Sequence, residues 1–168
     1  MMNYFRRYES PLGLILLSSD GEALTGLWFE GQKHCPSFFS KTAPEKDLHI
    51  FAETTDWLNR YFNKIIPDFT PELHPFGTAF QQTVWNLLLS VPYGETVSYG
   101  EIAQRTAIRL KRTGMPARAV GSAIGRNPIS LIIPCHRVVG SDGSLTGYAG
   151  GLERKRKLLE LEKVSISR

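Results

Sequence analysis

The first thirty residues read as three short strands, while almost everything after residue 48 carries helical spacing, and that split leaves few folds open. Asn3–Tyr8, Leu14–Ser18 and Leu24–Phe29 are apolar or alternating runs separated by the turn signals Ser10-Pro11-Leu12-Gly13 and Asp20-Gly21. Strands joined this tightly form an antiparallel meander with one face to bury. Residues 31–46, rich in Gly, Pro, Ser and Lys, read as a loop. Beyond them Leu48, Phe51, Thr55, Leu58, Phe62 and Ile65 recur at 3-4 spacing, which predicts an amphipathic helix laid against the meander. Pro67 and Pro71 break it, so 66–77 is the expected linker.

The second half reads as helices and loops. Thr78 and Gln81 have the spacing of a capping box, opening a helix that turns Phe80, Val84, Leu87, Leu88 and Val91 inward. Pro92-Tyr93-Gly94 ends it. Ser98 and Glu101 form a second such box, before a short helix through Ile102 and Ala103. A further helix is expected from Pro116, at its first helical position, through Gly125. Two short helices joined by a turn fit a helix-turn-helix. Ile129–Pro134 reads as an apolar strand, Gly140–Gly151 as a glycine-rich loop, and Leu152–Lys163 as a closing helix. The fold class is α+β: a small antiparallel sheet with a packed helix over residues 1–75, then a mostly helical domain over 76–168 with a helix-turn-helix and an active-site loop.

The two cysteines, Cys35 and Cys135, provide no disulfide framework. No signal peptide is recognisable, and no apolar run reaches the ~20 residues that span a bilayer. A reducing cytoplasm is therefore the expected compartment, with no membrane partner. The net charge of +4 is unevenly spread. Arg105, Arg109, Lys111, Arg112, Arg118, Arg126, Arg137 and the run Arg154–Lys157 all fall in the second half, as a phosphate-binding face requires, although a solvated basic surface gives the same pattern.

Cys135-His136 lies inside an apolar run that ought to be buried, where an unsatisfied polar group costs about 1–3 kcal/mol. A chemical role accounts for the pair: Cys135 as a nucleophile and His136 as the group that keeps it thiolate. Neighbours on a strand point to opposite faces, so a water would have to bridge them. An orienting carboxylate completes such a set, and Glu162, Glu153 and Glu160 are all candidates by spacing. A small buried hydrophobe is the ordinary role of a lone cysteine. A zinc site from His34, Cys35, Cys135 and His136 has the wrong ligand spacing, and no oxyanion-hole motif supports a cysteine hydrolase.

Pro134-Cys135-His136-Arg137-Val138, with Asn127-Pro128 before it and Gly147-Tyr148-Ala149-Gly150-Gly151 after it, resembles the O6-alkylguanine-DNA alkyltransferase family. Phe80-Gln81-Gln82, Val84-Trp85, Pro92-Tyr93-Gly94, Ser98-Tyr99 and Arg118-Ala119-Val120-Gly121 extend the match from about residue 76 to 162, and Ser10-Pro11-Leu12-Gly13 carries a looser one before it. The resemblance implies irreversible transfer of an alkyl group from O6 of guanine in DNA, and from O4-alkylthymine, to Cys135, once per molecule. It implies that His136, through a water and backed by Glu162, activates the thiol, and that Tyr99 donates to guanine N3. The carbonyls of Cys135 and Val138 would receive the exocyclic amine, the Ala149 amide would face O6, and Tyr148 would wall the pocket beside Gly147. Asn127 would brace the turn before Cys135. Arg118 would fill the gap left by a flipped base, with Ala117, Ala119, Gly121 and Ser122 allowing a close minor-groove approach to duplex DNA.

A monomer with no cofactor is expected, and because the zinc ligands that some members of the family hold in the N-terminal half have no match here, no metal is expected. Two departures stand out. Ile108–Met115 lengthens the connection between Tyr99 and Arg118 by several residues, and Ala149 stands where some members have serine. Rival readings are a lesion-binding relative without chemistry, and a helix-turn-helix regulator, which would want polar side chains on Ala119–Gly125 for reading the major groove.

Overall fold

The structure is a computed structural model and describes residues 3–36 and 45–164. Strands β1 (Tyr4–Ser10), β2 (Gly13–Ser19) and β3 (Leu24–Phe29) pair antiparallel in the order β1-β2-β3. Gly13 takes a left-handed φ of 115° at the first turn, a conformation that suits glycine. Asp20 builds the second turn by accepting from the backbone of Glu22 and Ala23. Gly26 is a glycine for a different reason. A Cβ there would lie 1.9 Å from the Trp28 ring, so the indole occupies the space a side chain would need.

Helix α1 (His49–Phe62) packs on this sheet and buries Ile50, Phe51, Thr54, Trp57, Leu58 and Tyr61. The face differs from the expected one. Thr55 and Phe62 are half-buried and Ile65 is 54% exposed, because the helix ends at Phe62 and its apolar stripe follows the two aromatic residues Trp57 and Tyr61. The expected linker is not free either: Leu73 bridges to Leu24, with Leu24 N–H donating to Glu72 O and His74 N–H to Leu24 O. Most of the loop expected over 31–46 lies outside the described residues.

The chain divides into two compact units. One runs to Phe76 and takes in Pro128–Ser130, whose backbone pairs with Leu27 of β3 through Leu27 N–H to Pro128 O and Ser130 N–H to Leu27 O. The other comprises Gly77–Asn127 and the chain from Leu131 onward. In this second unit, helices α2 (Ala79–Leu88), α3 (Tyr99–Arg109) and α4 (Ala117–Gly125) pack against one another. Trp85, almost fully buried, ties α2 to α4 by donating its indole N–H to Ala123 O at 2.9 Å.

The capping box at Thr78 and Gln81 forms in both directions. At Ser98 only half of it does. The serine accepts from Glu101 N–H at 3.0 Å, but the Glu101 carboxylate turns to Arg105 one turn on. Pro116 sits at the N-cap of α4, one residue before the expected place. Strands β4 (Val97–Ser98) and β5 (Val138–Val139) pair in parallel, and α5 (Leu152–Leu161) buries Leu158 and Leu159 together with Lys155.

Candidate active site

The apolar run before Cys135 is not a strand. Leu131 is left-handed, with φ of 71°, and Pro134 sits at φ −82°, ψ 64°, the centre of an inverse γ-turn closed by Cys135 N–H on Ile133 O at 2.8 Å. The Asn127 amide donates to the same carbonyl at 2.8 Å. Local turns thus satisfy backbone groups that a strand would hand to a ladder. An apolar run of this length is equally compatible with both, so periodicity could not separate them. Cys135–Arg137 then form a single 3-10 turn, and Cys135 and His136 project from it about 120° apart rather than from opposite faces of a strand.

Among the three candidate carboxylates, the fold selects Glu162, at the C-cap of α5. Its Oε2 lies 2.5 Å from His136 Nε2, and its Oε1 accepts from Arg137 Nε at 2.8 Å and from Gly94 N–H at 3.0 Å. Both His136 and Glu162 side chains are fully buried. Arg137, expected on the basic face, points inward instead. It donates to Val91 O at 2.8 Å, and its guanidinium stands 5.7 Å from the Tyr93 ring centre. A buried carboxylate needs that cation, and the adjacent imidazole does not supply one.

Lys155 is the residue the sequence hid. It belongs to the basic run Arg154–Lys157, yet it is fully buried. Its ammonium donates to Val138 O at 2.5 Å, Thr146 O at 2.9 Å and Gly147 O at 3.1 Å, and lies 5.7 Å from the centre of the Tyr99 ring. The period of α5 was the only available signal: Lys155 precedes Leu158 and Leu159 by three and four residues, on the same face. Tyr99, at the start of α3, donates its hydroxyl to Thr146 O at 2.8 Å, with Gly147 O at 3.3 Å. Two elements therefore pin the glycine-rich loop, and Gly147 takes φ of 58° between them.

Burial pushes the Cys135 thiol up, against the Asn127 side chain and the Lys155 charge, which pull it down. Burial also lowers the His136 imidazole, although Glu162 opposes this. Both shifts favour the uncharged pair, a thiol beside a neutral ring, over a thiolate beside an imidazolium. Burial alone would raise Glu162, but the hydrogen bond from His136 and the charge and hydrogen bond of Arg137 hold it well below the usual carboxylate range. An ionised Glu162 fixes the His136 proton on Nε2, which leaves Nδ1 as the basic nitrogen. Lys155 is lowered to about 8 by burial, so it is charged at neutral pH. Tyr99 is raised by burial and stays a phenol.

The remaining expected residues are distributed over the loop and α4. Tyr148 and Ala149 are half-buried on the loop beside Gly147. Val138 lends its carbonyl to Lys155, and Cys135 O accepts the Val138 N–H, so a second lone pair on each oxygen is what a substrate could use. On α4, Ala117, Arg118 and Ser122 are exposed and Ala119 and Gly121 half-buried. A Cβ at Gly121 would come within 3.9 Å of the Tyr99 ring, which places this helix next to the site.

A helix-turn-helix whose second helix adjoins a cysteine–histidine–glutamate set defines a class of DNA-binding protein that carries thiol chemistry on its own chain. Residues 79–164 match the family model described as 6-O-methylguanine DNA methyltransferase, DNA binding domain, and residues 3–74 match that described as 6-O-methylguanine DNA methyltransferase, ribonuclease-like domain. The chain belongs to the 6-O-methylguanine DNA methyltransferase family. It is 48% identical over 164 residues to the methylated-DNA–protein-cysteine methyltransferase of Mycobacterium tuberculosis, covering 96% of this chain and 93% of that one. It is 44% identical over 162 residues to the Haemophilus influenzae protein of the same name, covering 96% and 87%. The crystal structure of Mycobacterium tuberculosis OGT in complex with DNA superposes with a TM-score of 0.81 at 47% identity, covering 95% of this chain and 92% of that one. No helix among the described residues is long and apolar enough to cross a membrane.

Proposed function

We propose that this protein repairs O6-alkylguanine, and O4-alkylthymine, in duplex DNA by moving the alkyl group irreversibly to Cys135. The observation that carries this reading is the buried Cys135 turn with His136 held by Glu162 at 2.5 Å. Cys135 is 5% exposed, so the alkylated base must be brought to it, which means extrusion from the stack at a cost of a few kcal/mol. The thiol proton passes to Nδ1 of His136, directly or through a water, as the sulfur attacks. The S–C bond forms, the C–O6 bond breaks, and guanine takes up a proton at N3 from Tyr99, leaving as a neutral base; the proton held on His136 then returns, through solvent, to the Tyr99 phenolate. The Tyr99 hydroxyl exchanges its loop carbonyl for N3 in that step.

Lys155 supplies a positive charge that favours the developing thiolate and holds the loop that carries Tyr148 and the Ala149 amide toward O6. Asn127 braces the γ-turn. Arg118 fills the space that the extruded base leaves, and α4, small-sided at Ala117, Ala119, Gly121 and Ser122, enters the minor groove. Such contacts read little sequence, as a repair protein working anywhere in a genome requires. The S-alkylcysteine has no leaving path, so each molecule, acting as a monomer, turns over once. A free buried thiol persists in a reducing compartment, which favours the cytoplasm.

Intact-mass measurement after one equivalent of O6-methylguanine duplex is the direct test. It should add one methyl group, located on the peptide that holds Cys135, and none on Cys35. Methyl on Cys35, or product beyond one equivalent, would overturn the proposal. A Cys135→Ser protein should bind the duplex without accepting the group.

A further inference from the structure

The connection between α3 and α4 is long, basic and uncompensated. From Tyr99 to Arg126 the chain has six cations and a single carboxylate, Glu101, which is spent on Arg105 within α3. Arg109, Lys111 and Arg112 are all exposed, and no carboxylate among the described residues pairs with them. The backbone holds the three in a fixed place. Helix α3 closes with Lys111 N–H on Ile108 O at 3.1 Å and Arg112 N–H on Ala107 O at 2.8 Å, while Lys111 adopts φ of 56°.

That left-handed position normally takes glycine or asparagine, and here a lysine holds it at the surface. The C-terminal dipole of α3 favours Arg109, but its effect falls off within the last turn, before Lys111 and Arg112. Three like charges within four residues repel one another unless an anion is shared between them. Beside them a cleft of about 420 Å³ separates α3 from the connection, floored by Gly100, Ala103, Ala107 and Ala117, with Arg112 at its edge. Small side chains along the floor let a polymer backbone come close, and Ile108, 71% exposed, adds an apolar contact beside the charges.

We propose that this connection is a phosphate-backbone clamp for duplex DNA, in which Arg109, Lys111 and Arg112 each neutralise a phosphate flanking the site served by α4. The inference rests on the DNA-repair reading and adds contacts that α4 alone does not supply. Its signature is thermodynamic. Each phosphate neutralised contributes about 0.9 to the slope of log affinity against log salt.

The test is fluorescence anisotropy with an unmodified duplex oligonucleotide, titrated at several salt concentrations. The triple variant Arg109→Gln, Lys111→Gln, Arg112→Gln should show a slope shallower than the parent by about 2 to 3. Its affinity loss between about 50 and 200 mM salt should shrink by roughly fortyfold in consequence. The double variant Arg109→Lys, Arg112→Lys keeps the charge and should keep the parental slope. A triple variant that unfolds at the parental temperature and has a slope within about 0.5 of the parent overturns the clamp, as does loss of slope in the lysine variant. Failure of the unaltered protein to accept methyl from damaged DNA would instead sink the repair reading, and the slope comparison would still decide the clamp.

Discussion

Tyr99 and Lys155 meet at one acceptor, the Thr146 carbonyl, which receives the phenol at 2.8 Å and the ammonium at 2.9 Å. The loop beside Cys135 is therefore held by a group on α3 and a group on α5, and the second of these is a charge close enough to Cys135 to lower its thiol pKa. Lys155→Met removes the charge with little change in volume. It should slow alkyl transfer roughly tenfold and raise the pH midpoint of Cys135 alkylation by iodoacetamide by about one unit, the equivalent of about 1.4 kcal/mol. An unmoved midpoint would confine Lys155 to bracing the loop.

Glu162→Gln keeps shape and an acceptor oxygen but gives up the charge that fixes the His136 proton on Nε2 and offsets Arg137. General-base assistance is worth about 10²–10⁴-fold, so single-turnover transfer should fall by roughly a hundredfold. Chemical denaturation should show a loss of about 1–3 kcal/mol from the weakened buried network. If transfer is unimpaired in a variant that stays folded, Glu162 serves structure alone.

The buried pair makes stability depend on pH with one sign. His136 is lowered in the fold, so as pH falls below about 6.5 the unfolded chain takes up that proton first and folding weakens. Glu162 is held at about 2 in the fold against an ordinary value near 4.5, so its contribution is intact above about 4.5 and is lost as pH falls from there toward 2. Urea unfolding at pH 7, 5.5 and 4 should give steadily decreasing stability. In Glu162→Gln the part of the fall below about pH 4.5 should be reduced.

Asn127 is buried and donates to Ile133 O at 2.8 Å across the turn that presents the thiol. Asn127→Ala removes one of the two donors to that carbonyl, leaving only the Cys135 N–H, and removes the side chain that helps to lower the Cys135 pKa. A loss of about 1–3 kcal/mol is expected, together with slower alkyl transfer. Asn127→Asp tests geometry apart from chemistry, because a carboxylate cannot donate to the carbonyl. It should be at least as damaging by both measures.

Arg118 is exposed near the start of α4. If it fills the gap left by an extruded base, Arg118→Ala should lose more transfer rate on a duplex than on a single-stranded oligonucleotide with the same lesion, because only the duplex has a stack to repair. Equal losses on the two substrates would reduce Arg118 to a phosphate contact.

Much of this was legible without coordinates wherever information is local. The meander followed from turn residues at Ser10–Gly13 and Asp20–Gly21, α2 from the Thr78 and Gln81 cap, and the chemistry from a Cys-His pair in an apolar run. The amphipathic face of α1 was misplaced because Trp57 and Tyr61, rather than the evenly spaced Thr55 and Phe62, meet the sheet. Ile129–Pro134 was misjudged because a buried turn and a buried strand share one composition, and only Leu131 and Pro134 dihedrals distinguish them.

By itself, then, the sequence determined the meander, most of the helices, the fold class and the candidate sulfur, because each depends on residues a few positions apart. Tertiary structure alone decided which of three glutamates meets His136, that Arg137 and Lys155 face inward, and that burial pushes the Cys135 thiol pKa up. Those outcomes depend on groups well apart in the chain, such as Lys155 with Val138 (17 residues), Glu162 with His136 (26) and Arg137 with Val91 (46). Burial sets the charge states of these groups, and burial is a property of the packed interior, not of any segment that contributes to it.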